Sequence, residues 1–391
     1  MSAFDPKRTI VFAQSNATHD AVLTLTGGSF ATCRAAENDM FQLENLASLD
    51  GEEIMAIQIA ALRDRMTRRV ALGGFGAMIA APAFAEECRI GPPQHAKGPL
   101  VWMDMDQVEL DAAYDQSFYA PLLRQDVERW ASNSDSVRTR LGMPQRESYG
   151  PTEVEKLDIY RTKRPNSPIF VFIHGGAWLS GEAKNYAFPA ELFVNAGAHY
   201  VVLDFVAIKA ANGDLRVMAD QVRRGVAWVY KNAGSFGGDP NRLYVGGHSS
   251  GGHLCGVTLV TDWSKDFGLP ADVIKGGLCM SGMYDMKPVR LSIRGDYVKF
   301  DDDMENKMSS QRHLDLLYAP IIITYGTNET PEFQRQNRDF AAAVKAAGKP
   351  VELIEARVST PQRCNRDARG RTFRPAPSLP APATTPQHRP P

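Results

Sequence analysis

Residues 243–253 read Leu-Tyr-Val-Gly-Gly-His-Ser-Ser-Gly-Gly-His, and this stretch decides the fold. The β-prone run Leu243-Tyr-Val leads into a Gly-x-Ser-x-Gly motif centred on Ser249, and the apolar stretch from Gly252 is typical of a helix. Glycines on both sides permit a sharp turn, which would hold the Ser249 hydroxyl above a sheet edge, over the positive end of a helix. This context predicts a nucleophilic serine. The simpler alternative is a glycine-rich turn with a helix-capping serine.

The sequence around the motif predicts a parallel sheet covered by helices. Helical stretches such as Met218–Asn232 and Glu332–Ala347 separate the apolar runs, and apolar residues recurring at about four-residue steps predict a helix over 108–122. Apolar strands alternating with helices are typical of α/β folds with both sheet faces buried. The predicted strands are 169–173, 200–205, 243–245, 274–280, 321–325 and 351–354.

A second glycine-rich motif follows the predicted strand 169–173. It reads His174-Gly-Gly-Ala-Trp178, and the free backbone N–H groups of Gly175 and Gly176 could face a substrate oxygen. Together with the N–H of Ser250, they predict an oxyanion hole. We expect His174 to hold the loop by hydrogen bonds and Trp178 to pack against its surroundings.

Composition narrows the range of functions. The chain has 391 residues and a formal net charge of -1, which gives no reason to expect a nucleic-acid partner or an anionic membrane surface. None of the five cysteines shows the CxxC spacing of a zinc ribbon, and we expect no metal or organic cofactor. No apolar run reaches about 18 residues, so we expect no membrane span.

The segments outside the body have different characters. Residues 1–65 carry no assignable feature and are consistent with a translation start assigned too far upstream. Residues 66–85 resemble a twin-arginine secretory signal, with the pair Arg68-Arg69, a weakly apolar stretch and the small-x-small site Ala83-Phe84-Ala85. This segment predicts export to the periplasm, and otherwise a cytoplasmic location; the alternative is an alanine-rich helix packed on the domain.

The motifs together resemble the α/β-hydrolases. Residues 105–356 are similar to the esterase branch that includes arylformamidases and hormone-sensitive-lipase-like carboxylesterases, with Leu157–Tyr160 resembling an early strand and 236–242 a helix-to-strand connection. The resemblance implies a mostly parallel sheet flanked by helices. It also implies that a Ser-His-acid mechanism cleaves a small-molecule carboxylic ester or N-formyl aryl amide.

The same resemblance places the acid of the triad after the next-to-last strand. Glu329 lies where the arylformamidase-like loop Gly-x-x-Asp-x-Pro-Glu-Phe has its aspartate, so the resemblance assigns it to orient the base. Glu332 is expected to be a first-turn charge of the next helix. The competing acid is Asp285, which follows the preceding strand.

The histidine of the triad is missing from its expected place after the last strand. Of eight histidines only His388 follows Glu329, and it lies in a tail, 357–391, with seven arginines, eight prolines and no lysine. This composition predicts disorder. One codon choice for 357–361, shifted by one base, encodes Gly-Tyr-Gln-His, so we expect a frameshift that removed the histidine loop and final helix. The alternative is a degenerate, catalytically dead hydrolase that binds a ligand.

Overall fold

The computed structural model describes residues 91, 94–120 and 123–356, together with the backbone of four short strands near the N-terminus. These strands are β1 (Val11–Gln14), β2 (Asp20–Thr24), β3 (Phe30–Ala35) and β4 (Phe41–Leu43), and they pair antiparallel in sequence order. The predicted signal at 66–85 and the predicted disordered tail at 357–391 lie outside the described residues.

An eight-stranded sheet organises the body of the protein. Its strand order is β14-β13-β12-β11-β9-β10-β8-β7; the strands from β14 to β10 run parallel, whereas β8 pairs antiparallel with β10 and β7 pairs antiparallel with β8. The bounds are β7 (Gln145–Ser148), β8 (Lys156–Tyr160), β9 (Ser167–Ile173), β10 (His199–Leu203), β11 (Gly238–His248), β12 (Gly276–Met280), β13 (Ile321–Gly326) and β14 (Val351–Ala356). A small hairpin, β5 (Leu100–Trp102) and β6 (Met105–Asp106), precedes it.

Both faces of this sheet are buried, as the apolar runs predict. Along the fully buried β9, Val171 joins the hydrophobic core on one face and Phe172 joins the core on the other. Side chains alternate along a strand, so helices must cover both sides. The helices are α1 (Gln107–Tyr114), α2 (Leu123–Leu141), α3 (Ala190–Asn195), α4 (Leu215–Asn232), α5 (Ser250–Leu259), α6 (Trp263–Phe267), α7 (Met286–Leu291), α8 (Asp302–Met308) and α9 (Pro331–Ala346).

The helix predicted over 108–122 is wrong in its extent. α1 ends at Tyr114, because Asp115 is extended and its carboxylate accepts the N–H of Ser117, which starts a short 3-10 turn. α2 then runs from Leu123, and the sequence pattern gave no indication of it because most of its residues are polar. Two of the apolar residues behind the prediction, Val108 and Phe118, remain 38% exposed, so their spacing did not mark a buried face.

In the part of the chain that the structure describes, no helix combines the length and hydrophobicity needed to cross a bilayer.

Candidate active site

The turn between β11 and α5 places Ser249 at the carboxyl edge of the sheet. Ser249 itself is the turn residue, with φ 58° and ψ −122°, a strained conformation for a residue with a side chain. The turn is tight because a Cβ on Gly247 would lie 2.1 Å from the carbonyl oxygen of Gly251. A Cβ on Gly251 would lie 2.1 Å from the oxygen of Ile173. Both motif glycines are therefore required by close backbone approach.

The loop that follows β9 lies directly against this turn. A Cβ on Gly175 would be 2.8 Å from the carbonyl oxygen of His248 and 3.2 Å from Cβ of Ser249. Gly176 has φ 122°, a value that L side chains rarely adopt. Among the described residues, no backbone carbonyl accepts a hydrogen bond from the N–H of Gly175, Gly176 or Ser250. The structure therefore brings the predicted loop beside the predicted serine.

The flanking residues of this loop have structural roles, as expected. His174 is buried and stacks on Phe205 with ring centroids 4.3 Å apart, and its Nδ1 lies 2.9 Å from the oxygen of Gly175. Since a carbonyl only accepts, Nδ1 carries the proton in this contact. Burial lowers the pKa of His174, so the ring is neutral at physiological pH. Trp178 is only 2% exposed, and the guanidinium of Arg294 lies 5.3 Å from its ring centroid.

Glu329 lies in the loop between β13 and α9. Its Oε1 accepts two hydrogen bonds of 2.6 Å, one from Oγ of Ser281 and one from the N–H of Gly326. Its Oε2 is buried and has no partner among the described residues. Burial raises the pKa of Glu329, whereas the two donors act in the opposite direction. The carboxylate is thus held by one oxygen, and the other is left without a donor.

One dipeptide at the end of β12 connects Ser249 with Glu329. The carbonyl oxygen of Met280 accepts the N–H of Ser249 at 2.8 Å, and the next residue, Ser281, donates to Glu329. The strand order β13-β12-β11 puts these three carboxyl ends side by side. The serine and the acid predicted from sequence therefore lie at the same edge of the sheet, on strands separated by β12.

The competing acid, Asp285, and the nearby Glu332 have other partners. The carboxylate of Asp285 caps α7 through the N–H of Lys287 and forms an ion pair with Arg312 at 2.9 Å. Glu332 lies in the first turn of α9, as expected, where its buried carboxylate pairs with Arg335 and accepts from Tyr114. Both carboxylates thus already serve the packing of helices.

No described histidine forms a hydrogen bond with Ser249 or Glu329. The ring of His248 meets Trp130 edge-on at 5.7 Å, and desolvation lowers its pKa to about 4. His253 is fully buried in α5, where Nε2 lies 3.0 Å from the oxygen of Met308, and desolvation likewise lowers its pKa to about 4. The others contact Asp106, Thr162 and Asn306 through His95, His199 and His313, respectively.

The end of β14 lies beside the acid loop. Ala356 pairs with Gly326, and its carbonyl oxygen accepts the N–H of Thr327 at 3.0 Å, two residues before Glu329. Ala356, the last described residue of the chain, therefore lies beside the loop that carries Glu329.

Ser281 is the site residue that sequence reasoning missed. It is 8% exposed and has φ 53°, a backbone conformation that no local pattern indicates for a serine. The available signal was its place directly after the strand next to the motif strand.

One cluster elsewhere offers oxygen and nitrogen ligands close together. His95, Asp106 and Glu109 have ligand atoms within 4.8 Å of one another. However, Asp106 caps α1 and Glu109 contacts the ammonium of Lys97, so both carboxylates already have partners that compete with a metal ion.

The sheet order and the serine turn define an α/β-hydrolase, and comparison with known proteins agrees. The family described as BD-FAE matches residues 157–273. Kynurenine formamidase of Danio rerio is 30% identical over 265 residues, covering 64% of this chain and 88% of that protein. Isoprenylcysteine alpha-carbonyl methylesterase ICME of Arabidopsis thaliana is 24% identical, covering 53% of each chain.

Solved structures support the same fold. The crystal structure of a putative thioesterase from silicibacter sp. tm1040 superposes with a TM-score of 0.56 at 20% identity, over 63% of this chain and 90% of that one. The chain therefore belongs to the arylformamidase-like and esterase branch of the α/β-hydrolase family, whose named relatives are hydrolases.

Proposed function

We propose that this protein is a serine hydrolase that cleaves a small carboxylic ester or an N-formyl aryl amide. The observation that carries the proposal is the strained turn at Ser249, packed against a loop in which the N–H groups of Gly175 and Gly176 donate to no described backbone carbonyl. Strained backbone at a nucleophile is maintained when the surrounding structure requires it, as the close glycine contacts do here. Kynurenine formamidase and methylesterase relatives favour these two substrate classes.

In the proposed reaction, Oγ of Ser249 attacks the carbonyl carbon and loses its proton to a base. The N–H groups of Gly175, Gly176 and Ser250 would stabilise the negative oxygen of the tetrahedral intermediate. Collapse of the intermediate breaks the bond to the alcohol or arylamine, which leaves with the proton from the base. Water then attacks the acyl-serine by the same steps and releases the acid. Glu329 would orient the base and stabilise its charged form.

A fluorophosphonate probe tests the nucleophile directly. In the chain whose reading frame after Ala356 is shifted by one base, we expect the probe to modify Ser249, and Ser249→Ala should abolish labelling, whereas Ser264→Ala, at an exposed serine in α6, should leave it unchanged. The modified peptide should be identified by mass spectrometry. Labelling on Ser250 would refute the assignment.

We propose further that the base belongs to the segment following Ala356 and that a frameshift removed it from this chain. The position of Ala356 beside Glu329 supports this origin, as does the change of composition at residue 357. Without a base, the remaining groups typically retain about 10³–10⁴-fold catalysis over water. Shifting the reading frame after Ala356 by one base should therefore raise esterase turnover by orders of magnitude. Equal turnover of both chains would contradict the proposal.

A second candidate function is ligand binding without turnover. It is favoured by the observation that no described histidine contacts Ser249 or Glu329. Cleavage of p-nitrophenyl acetate by the chain as it stands, if lost in Ser249→Ala, would exclude this candidate. Binding of ester analogues with no Ser249-dependent cleavage, before and after the frame is shifted, would favour it.

We also propose export through the segment around Arg68-Arg69. Paired arginines before a weakly apolar stretch are the hallmark of the twin-arginine route. Mature protein should begin near Glu86 and be found in the periplasm, and replacing both arginines by lysine should retain it in the cytoplasm. Protein recovered with residue 1 intact, in the cytoplasm only, would contradict export.

A further inference from the structure

We propose that Ser281 is a positioning residue that fixes Oε2 of Glu329 as the oxygen that accepts a hydrogen bond from the base. The inference rests on the proposed function, because it gives Glu329 the role of the acid. It adds a residue that neither the sequence motifs nor the named relatives indicate. Three independent features of the described structure lead to it: the hydrogen bonds of the carboxylate, the backbone of Ser281, and the connection to Ser249.

The hydrogen bonds distinguish the two carboxylate oxygens. Oε1 receives the Ser281 hydroxyl and the Gly326 N–H, both at 2.6 Å, so both of its lone pairs are used. Oε2 is buried and has no hydrogen-bond partner in the described part of the chain. A buried carboxylate oxygen without a donor is costly, and it is kept where function supplies the donor. Of the two oxygens of Glu329, Oε2 is therefore the one left to accept a further N–H.

The backbone of Ser281 is held in a costly conformation that serves this contact. Its φ of 53° lies in the left-handed region, which is unfavourable for a residue with a side chain. Its own N–H donates to the oxygen of Thr324 on β13 at 2.8 Å. β13 also leads into Gly326 and Glu329, so the serine is fixed to the same strand that carries the acid.

The hydroxyl also acts on the charge of Glu329. No ion pair reaches this carboxylate from any described residue, and burial disfavours its ionised form. The Ser281 hydroxyl and the Gly326 N–H are the groups that favour ionisation. A hydroxyl that donates to a carboxylate stabilises the charged state, which is the state that can orient and stabilise a protonated base.

The connection to Ser249 makes this arrangement part of one unit. Met280 accepts the N–H of Ser249, and Ser281 follows it in the chain. A movement of the Met280-Ser281 dipeptide would displace the nucleophile and the acid together. Ser281 can therefore keep the acid in register with the serine turn, although it touches neither substrate nor base.

Two substitutions separate the hydroxyl from the backbone. Ser281→Ala removes the hydroxyl and keeps the strain, whereas Ser281→Gly removes the hydroxyl and relieves the strain. Ser167→Ala is the matched control, because it deletes another buried hydroxyl, one that donates to the oxygen of Arg164. Ser167 begins β9, at the end of the strand away from the candidate site. The titrations use these variants in the chain as it exists, and the turnover measurements use the two Ser281 variants in the frame-shifted chain.

The readout is the titration of Glu329, followed by ¹³C NMR of labelled glutamate carboxyls and assigned with Glu329→Gln. Both Ser281 variants should raise the pKa of Glu329, and Ser167→Ala should not. In the chain with the frame shifted, both should also lower kcat about tenfold. A titration unchanged in Ser281→Ala, or restored by Ser281→Gly, would overturn the inference.

Probe labelling and the titration of Glu329 together separate this inference from the proposed function. If Ser249→Ala leaves fluorophosphonate labelling intact, the proposed function fails, and the titration of Glu329 still tests what Ser281 does. If labelling depends on Ser249 but the Ser281 variants titrate normally, the proposed function stands and the positioning role is refuted.

Discussion

Acidification should unfold this protein partly through His253, which lies at the centre of the core below the serine turn. Its ring is fully buried, with Nε2 3.0 Å from the Met308 oxygen and Trp178 edge-on at 5.2 Å. Desolvation is the largest cause that lowers its pKa from 6.5 to about 4, with Arg294 and Arg223 adding repulsion. When the chain unfolds, the ring reaches water, regains its ordinary pKa and takes up a proton. Acid therefore favours the unfolded chain.

The magnitude follows from the two pKa values. A folded pKa of about 4 against an ordinary value of 6.5 corresponds to about 3 kcal/mol at 1.36 kcal/mol for each tenfold change. Because the folded pKa is depressed, this stability is present above pH 6.5 and is lost as the pH falls towards 4. Between pH 7 and pH 4.5 the loss should be about 2 kcal/mol.

Urea denaturation followed by tryptophan fluorescence measures this loss in the wild type and in His253→Gln. The variant also loses packing, but that loss is common to both pH values and cancels in the difference. His313→Gln, at a histidine that contacts only the oxygen of Asn306, is the control. A pH dependence that is the same in wild type and His253→Gln would refute the neutral, buried histidine.

Two other substitutions follow from close contacts and burial. Gly251→Ala puts a Cβ 2.1 Å from the Ile173 oxygen, so it should lower the free energy of unfolding by about 3 kcal/mol or more in urea denaturation and abolish probe labelling. Gly234→Ala, with open space around it, is the control and should change stability by less than about 0.5 kcal/mol. Equal effects of the two substitutions would contradict the tight turn. Because burial raises the folded pKa of Glu329, its ionisation opposes folding above the unfolded pKa of 4.5, so Glu329→Gln should gain stability relative to wild type as the pH rises from 4 to 7; a constant difference in melting temperature would contradict the raised pKa.

Sequence was sufficient for the parallel strands because each contains a short apolar run, whereas the polar edge strand β7, Gln145–Ser148, was not predicted. The strand-turn-helix around Ser249 was predictable because only glycine fits at positions 247 and 251. The helix α2 was missed because its surface is mostly polar and its boundaries carry no apolar period. Ser281 was missed because its importance comes from a contact 48 positions away in the chain, with Glu329. Long-range pairing of this kind leaves no trace in local residue patterns.

The pairing of β14 with β13 has a geometric consequence for whatever follows the sheet. Six consecutive residue pairs, ending at Gly326 opposite Ala356, fix the point at which the chain leaves the strand. A residue five positions later can lie no more than about 18 Å from that point. The register of β14 thus fixes where any following segment starts, which keeps a short segment near the acid loop at high local concentration. Deleting one residue within β14 would move this starting point by about 3.3 Å, which is enough to separate two groups that must share a hydrogen bond.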